Sequence, residues 1–413
     1  NNIVAPHWSI GASWNLHQGT FFRPNAILSQ FRLRGSAGTA GNQFFQSYLG
    51  HTQYNYYTDR QYVQSGSNSG TRGMGLGAFL TGFANEDLQA PETQKLNAGM
   101  DAILFQNRLF VKADVYRNRT DNIVLPVISP ASTGFLHFNY YDNLGAIENR
   151  GVELDVNYTI IQNTAKGISW SVRVNGIHNK DRIISTSAYL DSLNKFNDAV
   201  GADQTTPQPR YVVGQSLSGI WAVRSVGIDP ASGNETFVSG DGSLTSGWNA
   251  ADKVLAGDLS PKWQGSFGTS LTLKNISAGI YFNYQIGASY YNQTLADKIE
   301  NADINYNVDK RAASDRWQHP GDVTKYKALS VNGMVSSPTY ATTRFIEKVN
   351  LLNCSAISID YSVPQNIASK VKAKNARLGL VANNAFRSEG MKAERGIHYP
   401  LQRMYTFSLT TSF

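Results

Sequence analysis

The chain has 413 residues, of which 41% are hydrophobic and only 16% are charged, against about 25% charged in typical soluble domains. Its 37 Lys and Arg outnumber its 30 Asp and Glu, but they are scattered, which excludes the basic footprint of a nucleic-acid-binding protein. No run of about 18 apolar residues is present, so a membrane-spanning helix is excluded too. A closed sheet is the remaining structure that crosses a bilayer.

Apolar and polar residues alternate along segments of about 10 residues, the period of a strand with two unlike faces. In chain order, the apolar positions of these segments fall within 8–16, 31–37, 96–104, 109–115, 152–160, 168–174, 263–273, 276–286, 357–363, 378–380 and 405–413. Brief turns at Gln106-Asn107 and Lys274-Asn275 join neighbouring segments. The pattern therefore predicts antiparallel hairpins.

Long polar stretches separate many of these segments, and none of them shows convincing helical periodicity. They cover 60–94, 118–144, 182–209, 225–261, 288–352 and 384–403. Short turns at one end and long loops at the other are typical of an outer-membrane barrel, whereas compact soluble domains rarely contain several structureless loops of this size. The predicted fold class is all-β, a transmembrane antiparallel β-barrel with long extracellular loops.

The polar face of the strands decides between a membrane barrel and a soluble sheet. It carries mainly Ser, Thr, Asn, Gln and Gly, with interspersed charges at Lys112, Asp114, Glu153, Asp155 and Arg173. A soluble sheet usually hydrates its outer face with many Lys and Glu, so the hydroxyl- and amide-rich face is interpreted as an aqueous lumen and the apolar face as the side against lipid. A soluble carbohydrate-binding β protein with an apolar interior is the alternative from another class.

The last residues form an alternating strand that ends on an aromatic side chain. Its apolar positions are Tyr405, Phe407, Leu409 and Phe413. Outer-membrane proteins in general present such a strand to their assembly machinery, so these residues are predicted to be a barrel-assembly signal. An ordinary closing strand is the simpler explanation.

The sequence offers no arrangement for covalent chemistry. Cys354 is the single cysteine, the seven histidines do not pair at ligand spacing, and no nucleophile elbow or phosphate-binding loop is found. The segment "DGSLTSG" (241–247) lacks the alternating ligands of a calcium loop and is interpreted as a turn. The chain is therefore predicted not to be an enzyme and to use no metal or cofactor.

Seven segments resemble, in order and spacing, motifs of the SusC/RagA family of TonB-linked outer-membrane transporters. They are "FRLRGSAGTAGNQ" (31–43), "ETQKLNAGMDAILFQNRLFVKADVYRNRTDNIV" (92–124), "NLGAIENRGVELDVNY" (143–158), "GIDPASGNETFVSGDG" (227–242), "GDLSPKWQGSFGTSL" (257–271), "RWQHPGD" (316–322) and "RFIEKVNLLNCSAISIDYSVP" (344–364). The sequence departs from the family pattern at Asp360, where a glycine is usual, and in a loose version of the pre-terminal loop at 393–400.

The resemblance implies that residues 1–413 are the C-terminal part of one barrel domain, with about 12 or 13 of roughly 22 strands, and that the plug domain precedes it. It further implies active import of oligosaccharides or oligopeptides across the outer membrane of a Bacteroidota-like bacterium. A SusD-like surface lipoprotein would form the lid, and the TonB-ExbB-ExbD motor would act through the missing N-terminal part. The family also implies contact with membrane lipid and a paired assembly of two barrels and two lids.

Loop aromatics are the candidate substrate contacts, because sugar rings and peptide side chains both stack on them. The candidates are Tyr140, Tyr141, Trp248, Tyr290, Tyr291 and Trp317. Packing within the loops or contact with the lid is the alternative for each. A passive porin, and a scaffold or accessory subunit of a larger outer-membrane complex, are the alternative functions for the whole chain.

Overall fold

The computed structural model describes residues 6–19, 27–41, 51–62, 75–128, 139–200, 205–303, 305–306, 308–329, 338–391 and 402–413. Strands β1 to β21 of these residues are, in chain order, Ser9–Asn15, Leu28–Gly41, Gln53–Tyr62, Gly75–Gly82, Glu92–Leu104, Leu109–Asp121, Val124–Ile128, Asn139–Asn143, Gly145–Asn163, Ile168–Thr186, Gly219–Val223, Ser225–Ile228, Glu235–Val238, Leu244–Thr245, Lys253–Asp258, Trp263–Leu273, Ile276–Tyr291, Ile346–Ser362, Asn375–Asn383, Arg387–Glu389 and Met404–Ser412. The longest helix, α1, is Ala188–Val200. Shorter helical segments are Leu16–Gln18, Ala250–Asp252, Leu295–Glu300, Arg311–Ser314, Thr343–Phe345, Gln365–Ala368 and Ser369–Val371.

Twelve of these strands form one sheet, whose neighbours follow chain order. The order is β1, β2, β5, β6, β9, β10, β16, β17, β18, β19 and β21, and β20 pairs with β18. Each neighbouring pair is antiparallel. The remaining strands form four small sheets of two or three strands in the long connections. The predicted all-β fold is confirmed, and the sheet has the predicted number of strands.

The hairpin turns lie where the sequence predicts them. Gln106 and Asn107 adopt φ angles of 56° and 68°, and Lys274 adopts 54°. These left-handed conformations are those of tight two- to four-residue turns. The strands on either side pair directly, Leu104 with Leu109 and Leu273 with Ile276.

The apolar face of the sheet is exposed. Leu33 lies opposite Met100, and Val115 lies opposite Val152. Their side chains are 39%, 39%, 52% and 40% exposed, respectively. A soluble sheet would hide such a face in its interior, whereas a barrel in a bilayer presents it to lipid. The interpretation of the apolar face as the outer, lipid-facing one is therefore supported over the soluble alternative.

The polar face holds ion pairs that cross from strand to strand. Arg34 on β2 lies 3.2 Å from Asp101 on β5 and 2.7 Å from Asp114 on β6. Gly99 on β5 stands in register between Arg34 and Asp114. A Cβ atom on Gly99 would collide with both of those side chains. Glycine at this position therefore lets the arginine pass over β5 to reach the next strand.

The long connections are more ordered than predicted. Residues 188–200 form α1 inside the predicted loop 182–209, and β10 continues to Thr186. Ser187 caps α1, since its Oγ accepts a hydrogen bond of 3.4 Å from the backbone N–H of Leu190, and Leu190 is buried. The prediction of loops without a helix was wrong because α1 depends on a capping residue and one buried face rather than on a long periodic run. The pre-terminal loop 393–400 lies outside the described residues.

The hydrophobic cores lie in the long connections between the strands of the large sheet. The term loop layer means the described parts of residues 122–144, 187–262 and 292–345. One cluster consists of Ala296, Ile299, Ala302, Ala312, Tyr326 and Phe345. The other consists of Val127, Leu144 and Leu190. No helix in the described residues is long and apolar enough to cross a membrane.

Candidate functional site

A buried ion cluster fixes the loop layer. Arg344 Nη2 lies 2.9 Å from a carboxylate oxygen of Glu235 and 2.7 Å from one of Glu300. Both carboxylates are almost fully buried, and Thr342 and Thr339 donate hydroxyl hydrogen bonds to them at 2.8 and 3.0 Å. Burial alone would lower the pKa of Arg344, but the two carboxylates outweigh it and raise the pKa above its usual value. Three distant segments of the chain are thereby joined at one cation.

A second buried arginine ties the same region together through backbone oxygens. Arg316 is 3% exposed and donates to the carbonyls of Ala312, Lys327, Ile299 and Glu300 at 2.7, 2.8, 2.5 and 2.9 Å. Burial lowers the pKa of its guanidinium. The helical turn at Leu295–Glu300 is thus held rigidly beside the outer end of β17.

A cleft of about 310 Å³ opens between the outer end of β17 and β11. Its walls are formed by residues 206–209 and 217–221, with Leu259, Tyr290, Tyr291 and Gln293. The volume falls at the lower end of the range for small-molecule sites. Two prolines, Pro207 and Pro209, and the half-exposed ring of Tyr290 supply apolar surface.

Three buried polar atoms of residues that line the cleft have no hydrogen-bond partner among the described residues, and one of them is the hydroxyl oxygen of Tyr291. Trp221 is 8% exposed, yet its Nε1 is unpartnered. The same holds for Oε1 of Gln293, whose Nε2 is held by Thr205 and Asp297 at 2.9 and 2.8 Å. A buried polar atom left unpaired costs about 1 to 3 kcal/mol. These atoms are buried within residues that line the cleft.

The indole of Trp221 is positioned by α1 and β15. Trp221 pairs with Leu255 across the small sheet, and the Arg210 guanidinium lies 5.5 Å from its ring centroid. Asp198, near the end of α1, binds Arg210 at 3.2 Å and the buried Lys253 at 3.1 Å. The helix that the sequence reading missed therefore anchors one wall of the cleft.

Two of the six predicted substrate contacts lie on this cleft, Tyr290 and Tyr291. Tyr291 also packs edge-on against Phe345, with ring centroids 6.0 Å apart. Sequence reasoning missed Trp221 and Gln293. No sequence signal marks them, because the unpaired state of their polar atoms depends on residues far away in the chain.

The other four predicted contacts lie elsewhere in the loop layer. Trp248 donates from Nε1 to the carbonyl of Ala341 at 3.1 Å, and Trp317 donates to that of Pro230 at 2.9 Å. Tyr140 packs against the cluster of Val127, Leu144 and Leu190. Tyr141 pairs with Pro126 on β7. The structure does not bring these four side chains to the cleft, and their part in substrate binding stays a prediction.

The predicted assembly signal lies on β21 and the residue after it. Phe407 and Leu409 stand opposite Leu380 and Leu378 of β19. Tyr405, Phe407, Leu409 and Phe413 are 69%, 71%, 63% and 74% exposed. A role in assembly stays a prediction.

One sheet with an exposed apolar face, a polar face of ion pairs and an ordered loop layer at one end defines the wall of an outer-membrane β-barrel. The family model described as TonB dependent receptor-like, beta-barrel matches residues 5–333. The chain belongs to this family and lies in the outer membrane. The family comprises transporters and receptors, not enzymes.

Known relatives and solved structures agree with this assignment. TonB-dependent receptor P3 of Formosa agariphila is 23% identical, over 93% of this chain and 37% of the relative. TonB-dependent receptor SusC of Bacteroides thetaiotaomicron is 24% identical, over 98% of this chain and 39% of the relative. The structure of the RagAB peptide transporter superposes with a TM-score of 0.79 at 22% identity, over 98% of this chain and 43% of that one. The chain thus spans less than half the length of these proteins.

Proposed function

We propose that the whole protein imports oligopeptides or oligosaccharides across the outer membrane, driven by TonB and served by a SusD-like surface lipoprotein. Family membership supports the energised import, and the likeness to SusC and to the RagAB peptide transporter supports a lipoprotein partner. In this proposal residues 1–413 are the C-terminal part of the barrel wall together with its loop layer. A plug domain and the segment that contacts TonB belong to the rest of the protein.

The cleft beside Trp221 is the observation that supports a ligand site in this half of the protein. A peptide carries C=O acceptors and N–H donors, which are the chemical complements of the unpartnered Trp221 Nε1 and Gln293 Oε1. A sugar also provides hydroxyl donors and acceptors, and the C–H face of its ring packs on an aromatic ring such as that of Tyr290. We expect cargo to contact this cleft as it passes from the lid into the barrel.

Uptake of labelled oligopeptides and oligosaccharides by cells that carry the full-length protein tests the proposal. Trp221→Phe removes the N–H donor while keeping an aromatic ring, so we expect the KM for uptake to rise by about tenfold, the equivalent of one hydrogen bond. Trp170→Phe is the matched control, because Trp170 lies on β10 outside the cleft and its Nε1 donates to Thr269 Oγ1 at 2.8 Å.

Collapse of the proton gradient separates this proposal from a passive pore. Energised import stops when the gradient is collapsed, whereas diffusion through a porin continues. Uptake that persists without the gradient would contradict the import proposal. Equal KM values for Trp221→Phe and the wild type with every cargo tested would contradict the assignment of the cleft as a cargo site.

A further inference from the structure

The apolar outer face ends at the same level on three neighbouring strands, β6, β9 and β10, and charged residues replace it there. In register, Arg117 pairs with Arg150 and Arg150 with Lys180, while Arg119 pairs with Glu148 and Glu148 with Arg182. The six positions form a grid of five cations around one carboxylate. We call these six residues, Arg117, Arg119, Arg150, Lys180, Arg182 and Glu148, the cationic patch.

Strand alternation places the patch on the outer face. Arg117 follows the exposed Val115 by two residues, and Arg150 precedes the exposed Val152 by two. Side chains two residues apart on a strand share a face. The intervening Tyr116 points to the opposite side, where its hydroxyl donates to Asn179 at 2.9 Å.

The patch also lies at the extracellular end of the strands. Strand β6 begins directly after the short turn at 105–108. Its outward-facing residues are apolar from Leu109 to Val115, and the next outward-facing residue, Arg117, is charged. Short turns face the periplasm and long loops face the exterior in such barrels. The patch therefore stands where the apolar band gives way to the headgroups of the outer leaflet.

The patch carries more positive charge than its own carboxylates neutralise. Glu148 is fully buried and binds Arg117, Arg150 and Arg182 at 2.5, 2.6 and 2.7 Å, and Arg119 binds the nearby Asp121 at 2.9 Å. Five cations thus face two carboxylates. The three arginines around Glu148 keep 47%, 52% and 43% of their side-chain surface exposed. Like charges directly opposite on neighbouring strands are destabilising, so this arrangement favours an external anion.

We propose that the cationic patch binds the phosphate groups of lipid headgroups in the outer leaflet. Phosphate is the anion available at this depth of the membrane, and the guanidinium fork matches its oxygens with two parallel hydrogen bonds. Each cation near a charged membrane surface contributes favourably to lipid binding. The site anchors the barrel wall against its lipid and is independent of the cargo.

Titration of the full-length purified protein in neutral detergent with bisphosphorylated lipid A measures the affinity. The test variant is Arg119→Gln/Arg150→Gln/Lys180→Gln, which leaves Arg117 and Arg182 on the buried Glu148. The control is Arg108→Gln/Lys166→Gln/Lys370→Gln, which removes three exposed cations at the short-turn end. We expect about a hundredfold weaker binding for the test variant and wild-type binding for the control.

Glu148→Gln gives an effect of opposite sign. Loss of the only carboxylate within the grid leaves more positive charge for phosphate, so we expect about fivefold tighter lipid A binding and a larger rise in thermal midpoint on adding lipid A than in the wild type. A purely structural role for the cluster predicts destabilisation without any gain in affinity. Heat-modifiable migration on gels checks that each variant is folded.

Three results would overturn the proposal. The first is equal lipid A affinity for the test variant and its control. The second is equal affinity for bisphosphorylated and dephosphorylated lipid A, or saturation of the patch by inorganic phosphate alone with no further binding of lipid A. The third is loss of a co-purifying protein from the test variant while lipid A binding is unchanged, which would assign the patch to a protein partner. None of these measurements depends on cargo uptake.

Discussion

The transmembrane sheet and the loop layer are stabilised in different ways. The sheet presents its apolar side chains outward and holds ion pairs such as Arg34–Asp114 inside. The loop layer instead buries two hydrophobic clusters and a cation between two carboxylates, as a soluble domain does. The first region therefore depends on lipid for its apolar face, and the second depends on contacts between residues far apart in the sequence.

Arg344→Met should have the largest effect, and it should be confined to the loop layer. The substitution leaves Glu235 and Glu300 buried without a counter-charge, which costs about 3 to 5 kcal/mol. We expect the loops to become sensitive to external protease on intact cells while heat-modifiable migration of the barrel persists. Arg173→Met is the control, because that arginine is 62% exposed in its pair with Asp155 and such pairs contribute about 1 kcal/mol or less. Simultaneous loss of the barrel would show that the two regions are not separable.

Ile280→Arg tests the other region, the lipid-facing side of the sheet. Ile280 lies on the outer face of β17 and is 38% exposed. An arginine facing lipid near the midplane costs about 2 to 4 kcal/mol. Asn283→Arg, at an exposed position on the opposite face of the same strand, should cost little because it faces water. Unfolding in urea from lipid vesicles measures both, and equal costs would contradict the assignment of the two faces.

Gly99→Leu tests how the polar face is tied together. The new side chain would occupy the path by which Arg34 crosses β5 to Asp114. Asp114 is 5% exposed, so the loss of its partner leaves a buried carboxylate, and we expect a destabilisation of about 1 to 3 kcal/mol in the same urea experiment. Gly11→Leu is a suitable control, since a Cβ there has ordinary contacts only. A similar cost for both variants would show that the crossing arginine contributes nothing particular.

The sheet was predictable because its determinants are local. Alternation along 109–115 and a turn at Gln106-Asn107 specify a face and a hairpin within a dozen residues, and both are confirmed. The loop layer was not predictable in this way. Thr342 and Glu235 are hydrogen-bonded although 107 positions separate them in the chain. That Trp221 Nε1 has no partner, and that Trp221 and Gln293 line the same cleft, follows only from the folded structure.

Family resemblance extended the prediction beyond local pattern, but not to the site. The motifs indicated a transporter barrel, which the family match confirms. They did not distinguish Tyr290, which lines the cleft, from Trp317, which is bonded to the backbone of Pro230. Both are aromatic residues in segments that the sequence predicts as long loops, and only the position of each side chain in the fold separates a candidate contact from a packing residue.

Ser187→Ala should have the smallest effect, and it tests α1, the helix that the sequence did not predict. Loss of the cap costs about 1 kcal/mol, and because Asp198 of α1 holds Arg210 beside Trp221, the loosening should reach the cleft. Ser192→Ala is the matched control: its hydroxyl bonds back to the carbonyl of Ala188, and alanine there favours the helix by a few tenths of a kcal/mol. Hydrogen exchange of 188–200 in the full-length protein should therefore speed up in the first variant and slow down in the second. The same change in both would mean that α1 is held by its buried face alone, with no contribution from its capping serine.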